Sequence, residues 1–293
     1  MPIIYLNGRF LERDDAALDP LDRGVLLGDG LFETIRCEAG QLLFHEAHFA
    51  RLARGARTVE IAWNMPSEEL LQICQHVLDA NSLELARLRV TLTRGELGNS
   101  PEIGEPATSA TLIVHAAALG QERLDAARSK GWTAKAVHFP LNHRSPMARI
   151  KSTSYQEHLL GRLDARRAGH DEGLFLNTAG LLAEGTMSNL FAVREGEVLT
   201  PPVEDGALPG IMRGRIAGLC ERAGLAYRER SLTLDELRTA EEAFLTNSLV
   251  EVMPLAAVEG FPIGTGKPGE QTGRLYSEHR RDVESFLAAL RSS

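Results

Sequence analysis

The sequence predicts mixed α and β structure in two domains, with largely antiparallel sheets. At 293 residues the chain is too long for one small domain, and two domains are the natural count. Apolar and polar side chains alternate strictly in Ala86–Thr93, with Arg87, Arg89 and Thr91 on the polar face. This alternation is typical of a half-buried strand in an antiparallel sheet. Helical periodicity on both sides of it adds the α component.

Turn signals and periodicity define the elements of the first domain. Asn7-Gly8 joins two short apolar segments, and both residues accept the positive φ of a type I′ turn. Ala39-Gly40 has the same place in a second hairpin. The predicted helices cover residues 49–59 and 67–78, with Ser67 as the N-cap of the second. The predicted strands are Ile3–Leu6, Arg9–Leu11, Leu31–Cys37, Gln41–Phe44, Ala86–Thr93 and Thr111–Ala116.

A polar stretch with a short helix, residues 119–131, is predicted to link domain 1–118 to domain 132–293. In the second domain Tyr155–Ala168 has the spacing of an amphipathic helix built on Leu159, Leu160 and Leu163. A second helix runs from Ile211 to Ala223 and ends at Gly224, and a third closes the chain. The predicted strands are Trp132–Phe139, Gly173–Asn177, Leu190–Val193, Val198–Thr200, Ala243–Thr246 and Val250–Val258.

Composition and charge exclude several classes of protein. A content of 43% apolar and 25% charged residues is ordinary for a globular chain, and the net charge of −8 provides no basic surface for nucleic acid or anionic lipid. The N-terminal residues lack the pattern of a signal peptide, and the longest apolar stretch, Ala110–Leu119, is too short to span a membrane. Three separated cysteines favour a reducing compartment. We therefore expect a cytoplasmic protein without nucleic-acid or membrane partners.

Motifs for metal and nucleotide chemistry are incomplete. His45-Glu46-Ala47-His48 is one residue short of a zinc-binding helix motif, so its histidines would not share a face, and we expect no metal site. Gly264-Thr265-Gly266-Lys267-Pro268 has proline where a phosphate loop needs Ser or Thr. Both segments are better explained as an ordinary helix start and a turn.

Three separated segments do suggest a site. Lys151, one of only four lysines, lies between a strand-like segment and a helix, where desolvation would favour imine chemistry. Glu184 leads into an apolar strand, where its carboxylate could pair with a protonated pyridine nitrogen. Pro209-Gly210 precedes a helix whose first N–H groups could bind an anion. Each segment also has a plain structural explanation: a surface lysine, a solvated glutamate and an ordinary helix start.

Together with other motifs, these segments resemble the fold-type IV, or class IV aminotransferase-like, pyridoxal-phosphate enzymes. The resemblance runs nearly from end to end and implies a two-domain fold like that of D-amino-acid aminotransferase. It also implies a homodimer with pyridoxal 5′-phosphate in a cleft between two domains. The motifs are Arg23-Gly24, Gly28–Thr34, His48–Leu52, Thr93–Gly95, Ile150–Tyr155, Ala183–Phe191, Pro209–Arg213, Thr246–Pro254 and Ile263–Thr272.

The resemblance implies roles for individual residues. Lys151 would bind the cofactor covalently through its amine and then shuttle protons, and Glu184 would keep the pyridine nitrogen protonated. The other implied cofactor-binding residues are Arg51, Ile211, Met212 and Ser248 at the phosphate, and Tyr155 near the phenolic oxygen.

The activity within the family is a separate question. Glu33-Thr34 and Thr246-Asn247-Ser248 are similar to aminodeoxychorismate lyases, which convert 4-amino-4-deoxychorismate to p-aminobenzoate and pyruvate for folate synthesis. Thr34 would then assist proton transfer to the leaving group, with Arg94 or Arg36 holding substrate carboxylates. A transaminase acting on D-amino acids or branched-chain L-amino acids with 2-oxoglutarate is the alternative. A cofactor-binding protein without activity is disfavoured because Lys151 and Glu184 are both present.

Overall fold

The computed structural model describes residues 1–96 and 109–292 as two compact units. The first comprises Met1–Leu119 with Ile150–Tyr155, and the second comprises Gly120–Arg149 with Gln156–Ser293. Both units combine helices with mostly antiparallel sheets, which confirms the predicted fold class. Among the described residues, no helix is both long and apolar enough to cross a membrane.

The first unit is an antiparallel sheet covered by two helices. In its described part, six strands lie in the order β2-β1-β6-β5-β3-β4. The apolar residues of β5 alternate into a core shared with α2 and α3, so the alternation in the sequence marks the buried face of the sheet. The elements are β1 Ile3–Leu6, β2 Arg9–Glu12, α1 Arg23–Leu27, β3 Gly30–Glu38, β4 Gln41–Leu42, α2 His45–Thr58, α3 Ser67–Ala80, β5 Ala86–Thr93 and β6 Thr111–Ala118.

Both predicted hairpins of this unit are confirmed. Asn7 and Gly8 have φ values of 45° and 87°, and β1 pairs antiparallel with β2. The second hairpin pairs β3 with β4, which ends at Leu42, earlier than predicted. The prediction that Ser67 is an N-cap is wrong. Ser67 is the first residue of α3, and Pro66 precedes it without a capping side-chain hydrogen bond.

The segment that carries Lys151 adds to the edge of β3. The Phe32 N–H donates to the Lys151 carbonyl at 2.9 Å, and the Thr153 N–H donates to the Gly30 carbonyl at 2.8 Å. A Cβ atom at Gly30 would lie 2.9 Å from the Thr153 hydroxyl, so a glycine is needed for this close approach. The predicted boundary places Lys151 in the C-terminal domain, whereas these bonds tie it to the first unit.

The second unit is built on a larger mixed sheet. Eight of its described strands follow the order β12-β11-β10-β13-β14-β7-β8-β9, and a ninth, β15, pairs with β14. Helices α6 and α8 pack on one apolar cluster of this sheet. The elements are α4 Gln121–Lys130, β7 Trp132–Ala136, α5 Gln156–Arg167, β8 Glu172–Leu176, β9 Leu182–Gly185, β10 Asn189–Arg194, β11 Glu197–Thr200, α6 Ile211–Ala223, β12 Ala226–Glu229, α7 Leu234–Arg238, β13 Glu242–Asn247, β14 Glu251–Val258, β15 Phe261–Pro262 and α8 Glu270–Ser292.

Helix α5 is present, but the prediction that its leucines are buried is wrong. Leu159, Leu160 and Leu163 are 55%, 56% and 45% exposed. The buried positions are instead Gly161 and Ala165. A Cβ atom at Gly161 would lie 2.8 Å from the Phe175 ring, so the helix packs closely through its small residues and turns its leucines outward.

The predicted linker helix is also present, as α4. The Arg128 side chain ties it to the second unit by donating to the carbonyls of Val250 and Val252, at 3.0 and 3.2 Å. The Arg128 guanidinium also lies 4.1 Å from the centroid of the Tyr276 ring. These contacts give α4 a fixed place on the second unit.

Candidate active site

Lys151 lies over an aromatic residue of the first unit. Its Nζ is 4.6 Å from the centroid of the Phe32 ring, and the guanidinium carbon of Arg89 is 3.8 Å from the same centroid. Tyr155 packs edge-on against Phe32, with ring centroids 5.5 Å apart. Because Lys151 follows the β3 edge, its ammonium is held beside the sheet. Two of the predicted cofactor residues, Lys151 and Tyr155, are thereby brought together around Phe32.

Arg51 belongs to a buried charged cluster with Glu33 and His48. The Arg51 Nε and Nη2 atoms donate to the two Glu33 carboxylate oxygens at 2.7 and 2.6 Å. His48 Nδ1 lies 2.7 Å from Glu33 Oε2 and donates to it, since a carboxylate only accepts. All three side chains are buried, at 1% to 9% exposure. The cluster holds the Arg51 guanidinium in one orientation.

The pKa values of this cluster follow from burial and from the arginine. Burial alone would raise the pKa of Glu33, but the Arg51 charge and the hydrogen bonds from Arg51 and His48 outweigh it and lower the pKa to about 2. Burial lowers the pKa of His48, and the nearby charges of Arg51 and Lys151 lower it further against the opposing effect of Glu33. Glu33 is therefore ionised and His48 neutral near pH 7.

Thr34 and Arg94 differ in their settings. Thr34 is half-buried on β3, on the same sheet face as Phe32, two residues away. Arg94 donates through Nε and Nη2 to the Asp29 carboxylate at 2.7 and 3.2 Å, and to the carbonyls of Val59 and Glu60 at 2.6 Å each. These contacts favour a structural role for Arg94, and its proposed contact with substrate stays a prediction.

Arg36, the second candidate for a substrate carboxylate, also has an acidic partner. Its Nε and Nη2 atoms donate to the Glu38 carboxylate at 3.2 and 3.1 Å, and the Arg36 side chain is 3% exposed. The pair carries no net charge, which weakens its attraction for an anion.

In the second unit, Glu184 is the residue before the end of β9 and is 6% exposed. Its Oε2 accepts from the Leu208 N–H at 2.8 Å and from Asn189 Nδ2 at 3.3 Å. His158 Nε2 lies 3.4 Å from Oε1. Two directed donors on Oε2 therefore orient a buried carboxylate, which is the requirement for pairing it with a protonated ring nitrogen.

Asn189 connects Glu184 to the start of α6. Its amide also donates to the Leu208 carbonyl at 2.9 Å. Gly210 is the N-cap of α6, and a Cβ atom there would lie 2.0 Å from Asn189 Oδ1. The glycine thus lets the asparagine pack beneath the first turn, where the N–H groups of Ile211 and Met212 lie. An α-helix N-terminus of this kind binds phosphate well.

Ser248 lies in the turn between β13 and β14. Asn247 shapes this turn, since its Oδ1 accepts from the N–H groups of Leu249 and Val250 at 2.9 Å each. Asn247 Nδ2 also donates to the Met187 carbonyl at 3.1 Å. The asparagine thereby links the Ser248 turn to the connection that follows Glu184.

Sequence reasoning assigned no role to Glu33, His48 or Asn189. Glu33 and His48 stand within recognised motifs, but only the fold shows that they share one cluster with Arg51. Asn189 directly follows Ser188 in the Glu184 motif, and its polar amide at the head of a run of apolar residues is the signal that could have been used.

These residues fit the chemistry of pyridoxal phosphate. Lys151 supplies an amine, and Glu184 supplies an oriented carboxylate. The N-terminus of α6 is a donor of the type that binds phosphate. Arg51 is also of this type, but two of its nitrogens donate to Glu33, so its contact with phosphate stays a prediction. The donor set thus matches the aldehyde, the ring nitrogen and the phosphate of this cofactor.

Comparisons with known proteins agree with this match. The family model "Amino-transferase class IV" matches residues 30–258. The chain is 33% identical to a putative branched-chain-amino-acid aminotransferase of Methanocaldococcus jannaschii, over 96% of each chain. It is 28% identical to aminodeoxychorismate lyase of Bacillus subtilis, over 97% of this chain and 96% of the other. The crystal structure of the Escherichia coli branched-chain amino acid aminotransferase superposes with a TM-score of 0.86 at 29% identity, covering 94% of this chain and 92% of the other.

Proposed function

We propose that this chain, which belongs to the class IV aminotransferases and is a pyridoxal-phosphate enzyme, transfers an amino group from an amino acid to a 2-oxo acid. The sequence motifs alone placed the lyase first. The relatives named as aminotransferases are more similar in sequence to the chain than the relative named as a lyase. This similarity supports an aminotransferase ahead of a lyase.

The position of the Lys151 side chain is the main structural observation that supports this proposal. Its ammonium lies against Phe32 at the edge of β3, next to the ionised Glu33 cluster that holds Arg51. Bound pyridoxal phosphate supplies an electron sink for the charge left when a proton leaves the carbon that bears the amine. Lys151 would bind the cofactor covalently and then carry that proton as a base.

Other residues are proposed to hold the cofactor without moving protons. Glu184 would keep the pyridine nitrogen protonated, using the carboxylate that Asn189 and the Leu208 N–H orient. The proposed phosphate ligands are Arg51, the N–H groups of Ile211 and Met212, and the Ser248 hydroxyl. Tyr155, packed against Phe32, is assigned to the phenolic oxygen.

A lyase is the second candidate, and Thr34 is the observation that favours it. Its hydroxyl lies on the sheet face that carries Phe32, on which Lys151 packs. There it could give a proton to a leaving group, a step that an aminotransferase does not need. The two activities therefore differ in what leaves the substrate and share Lys151 and Glu184.

The test is direct. The purified protein, loaded with pyridoxal phosphate, is incubated with 4-amino-4-deoxychorismate, and separately with D- and L-amino acids plus 2-oxoglutarate. Formation of glutamate would support the proposal, and formation of pyruvate and p-aminobenzoate without glutamate would replace it with the lyase. Borohydride should bleach the protein and place the reduced cofactor on Lys151; a label on Lys130, Lys135 or Lys267 would refute the assignment.

A cytoplasmic homodimer is part of the proposal. The family resemblance implies the dimer, and the outward leucines of α5 provide an apolar surface that a second copy could cover. Sedimentation of the purified protein tests this: Leu160→Glu should shift the mass toward the monomer, and a wild-type protein that sediments as a monomer would contradict it.

A further inference from the structure

A second buried carboxylate of the second unit has no part in the proposed reaction. Glu172 is the first residue of β8, and its side chain is 0% exposed. Burying a carboxylate is costly unless hydrogen-bond donors surround it. The Gly173 N–H donates to Glu172 Oε1 at 3.0 Å, and Arg162 Nη1 donates to the same oxygen at 3.2 Å. These donors, from β8 and α5, hold the carboxylate in one place.

Two hydroxyl groups of one loop also donate to Glu172. Thr186 Oγ1 donates to Glu172 Oε1, and Ser188 Oγ donates to Oε2 at 2.9 Å. Both hydroxyls belong to residues 185–188, which join β9 to β10 and which we call the bridging loop. Thr186 and Ser188 are buried, so these hydrogen bonds compete little with water. One carboxylate therefore holds two positions of a short loop.

The bridging loop is tightly closed. The Gly185 N–H donates to the Ser188 carbonyl at 2.7 Å, and a Cβ atom at Gly185 would lie 2.3 Å from Ser188 Oγ. The Thr186 N–H donates to the Gly173 carbonyl at 2.9 Å. Because a close-packed interior transmits strain, a shift of either hydroxyl should also move the residues at the two ends of the loop.

The residues at the two ends of the bridging loop belong to the proposed cofactor site. Glu184, the proposed partner of the ring nitrogen, directly precedes the loop, and Asn189, which packs beneath the first turn of α6, directly follows it. The Met187 carbonyl, within the loop, accepts from Asn247, which shapes the Ser248 turn. The bridging loop thus connects residues proposed to hold the ring nitrogen with residues proposed to hold the phosphate.

We propose that Glu172 is a positioning residue that acts through Thr186 and Ser188 to orient the Glu184 carboxylate toward the ring nitrogen of the cofactor. Hydrogen bonds to an ionised carboxylate are about twice as strong as neutral ones. A misplacement of about 1 Å near the reacting atoms lowers a rate on the order of 10²-fold. The inference rests on the proposed function for the role of Glu184, whereas the dependence of its orientation on Glu172 is a property of the chain alone.

Orientation is tested first, in the full chain before cofactor is added. The Leu208 N–H donates to Glu184 Oε2 at 2.8 Å, so its hydrogen exchange, measured by NMR, reports whether this carboxylate stays in place. In Glu172→Gln the side-chain amide can accept on one side only, so it cannot accept from both loop hydroxyls. We expect exchange at Leu208 to become about 3- to 10-fold faster relative to the strands of the same sheet, the effect of one ordinary hydrogen bond.

Cofactor binding then separates the ring nitrogen from the other groups of the cofactor. Pyridoxal phosphate is compared with 1-deazapyridoxal phosphate, in which a CH group replaces the ring nitrogen, by absorbance titration. The aldehyde and the phosphate are the same in both compounds, so their affinity ratio isolates the contact with Glu184. Glu172→Gln should lower the preference for pyridoxal phosphate by about 3- to 10-fold, and Glu184→Gln should lower it at least as much.

Two sets of variants separate positioning from a general loss of stability. Glu242→Gln is the matched control, because Glu242 also accepts from a threonine hydroxyl, that of Thr272 at 2.7 Å, but stands at the end of β13 away from the bridging loop. It should change neither the exchange at Leu208 nor the affinity ratio. Thr186→Val removes the loop hydroxyl and keeps a similar shape, so the preference should fall. Thr186→Ser keeps the hydroxyl and removes a packed methyl, so the preference should remain although stability falls.

The outcomes are distinct. Unchanged relative exchange at Leu208 in Glu172→Gln, or a Thr186→Ser variant that loses the preference as Thr186→Val does, would overturn the inference. An equal loss of affinity for both compounds in Glu172→Gln would also overturn it if Glu184→Gln lowers the preference. If Glu184→Gln retains the full preference, the proposed role of Glu184 is refuted instead, while exchange at Leu208 still decides whether Glu172 positions this carboxylate. If Glu172→Gln does not fold, the two Thr186 variants provide both measurements.

Discussion

Acid should weaken the fold through Glu33, because this buried carboxylate is ionised against Arg51. Its pKa falls from the ordinary 4.5 to about 2 in the folded chain. A group whose pKa is depressed on folding stabilises the protein above its unfolded pKa, and this contribution is lost as the pH falls toward the folded pKa. The shift corresponds to about 3.4 kcal/mol of stability at neutral pH. About 1.4 kcal/mol of it would be lost between pH 7 and about 3.5.

The assay compares urea unfolding of Glu33→Gln with its parent across this pH range. Because His48 contacts Glu33 and is itself titratable, both chains carry His48→Gln. Near pH 7, Glu33→Gln should cost about 3–5 kcal/mol, since it leaves Arg51 buried without its counter-ion. The difference between the two chains should shrink by about 1 kcal/mol by pH 3.5.

The charge control is Glu84→Gln, which removes an exposed carboxylate from the same unit. A free-energy difference between Glu33→Gln and its parent that stays constant from pH 7 to 3.5 would refute the reasoning. It would mean that Glu33 is not held ionised by Arg51 in the folded chain.

Three further changes probe the site. Glu184→Gln should keep the cofactor bound but lower kcat on the order of 10²–10³-fold, because a neutral amide cannot hold a proton on the ring nitrogen; wild-type turnover would contradict the role. Arg51→Ala should weaken cofactor affinity, measured by dialysis and titration, by about 1.5–3 kcal/mol, with a smaller effect on kcat at saturation. Gly210→Ala should lower the free energy of unfolding, measured in urea, by about 1–3 kcal/mol, because the new Cβ would lie 2.0 Å from Asn189 Oδ1 and displace that amide. The control is Gly214→Ala on the same helix, which has open space around it and should not lower the free energy of unfolding.

Local signals predicted the elements well. The Asn7-Gly8 turn and the start and stop of α6 depend on backbone preferences of a few neighbouring residues, and the structure confirms them. The alternation in Ala86–Thr93 likewise marks which face of β5 is buried, because strand side chains alternate whatever the partner strands are. The family was recognisable for the same reason: its motifs are short and local.

Contacts between distant segments were not predictable in this way. The spacing of Leu159, Leu160 and Leu163 predicted an apolar face, but not that Gly161 and Ala165 would be the residues that pack on the sheet. Arg94 stands in a family motif, yet Asp29 and two carbonyls of the α2 end occupy it. In both cases the decisive neighbour lies far away in sequence.

The sequence by itself determined most of the elements and the family, and it predicted Lys151 as the reactive amine, because these depend on residue type and on short spacing. Only the tertiary structure decided which charges are compensated. It pairs Arg51 with Glu33 and Arg94 with Asp29, and it places Arg89 beside His115 with no ion pair to Arg89 among the described residues. Charge compensation depends on distances of a few ångströms between segments that the chain brings together only on folding.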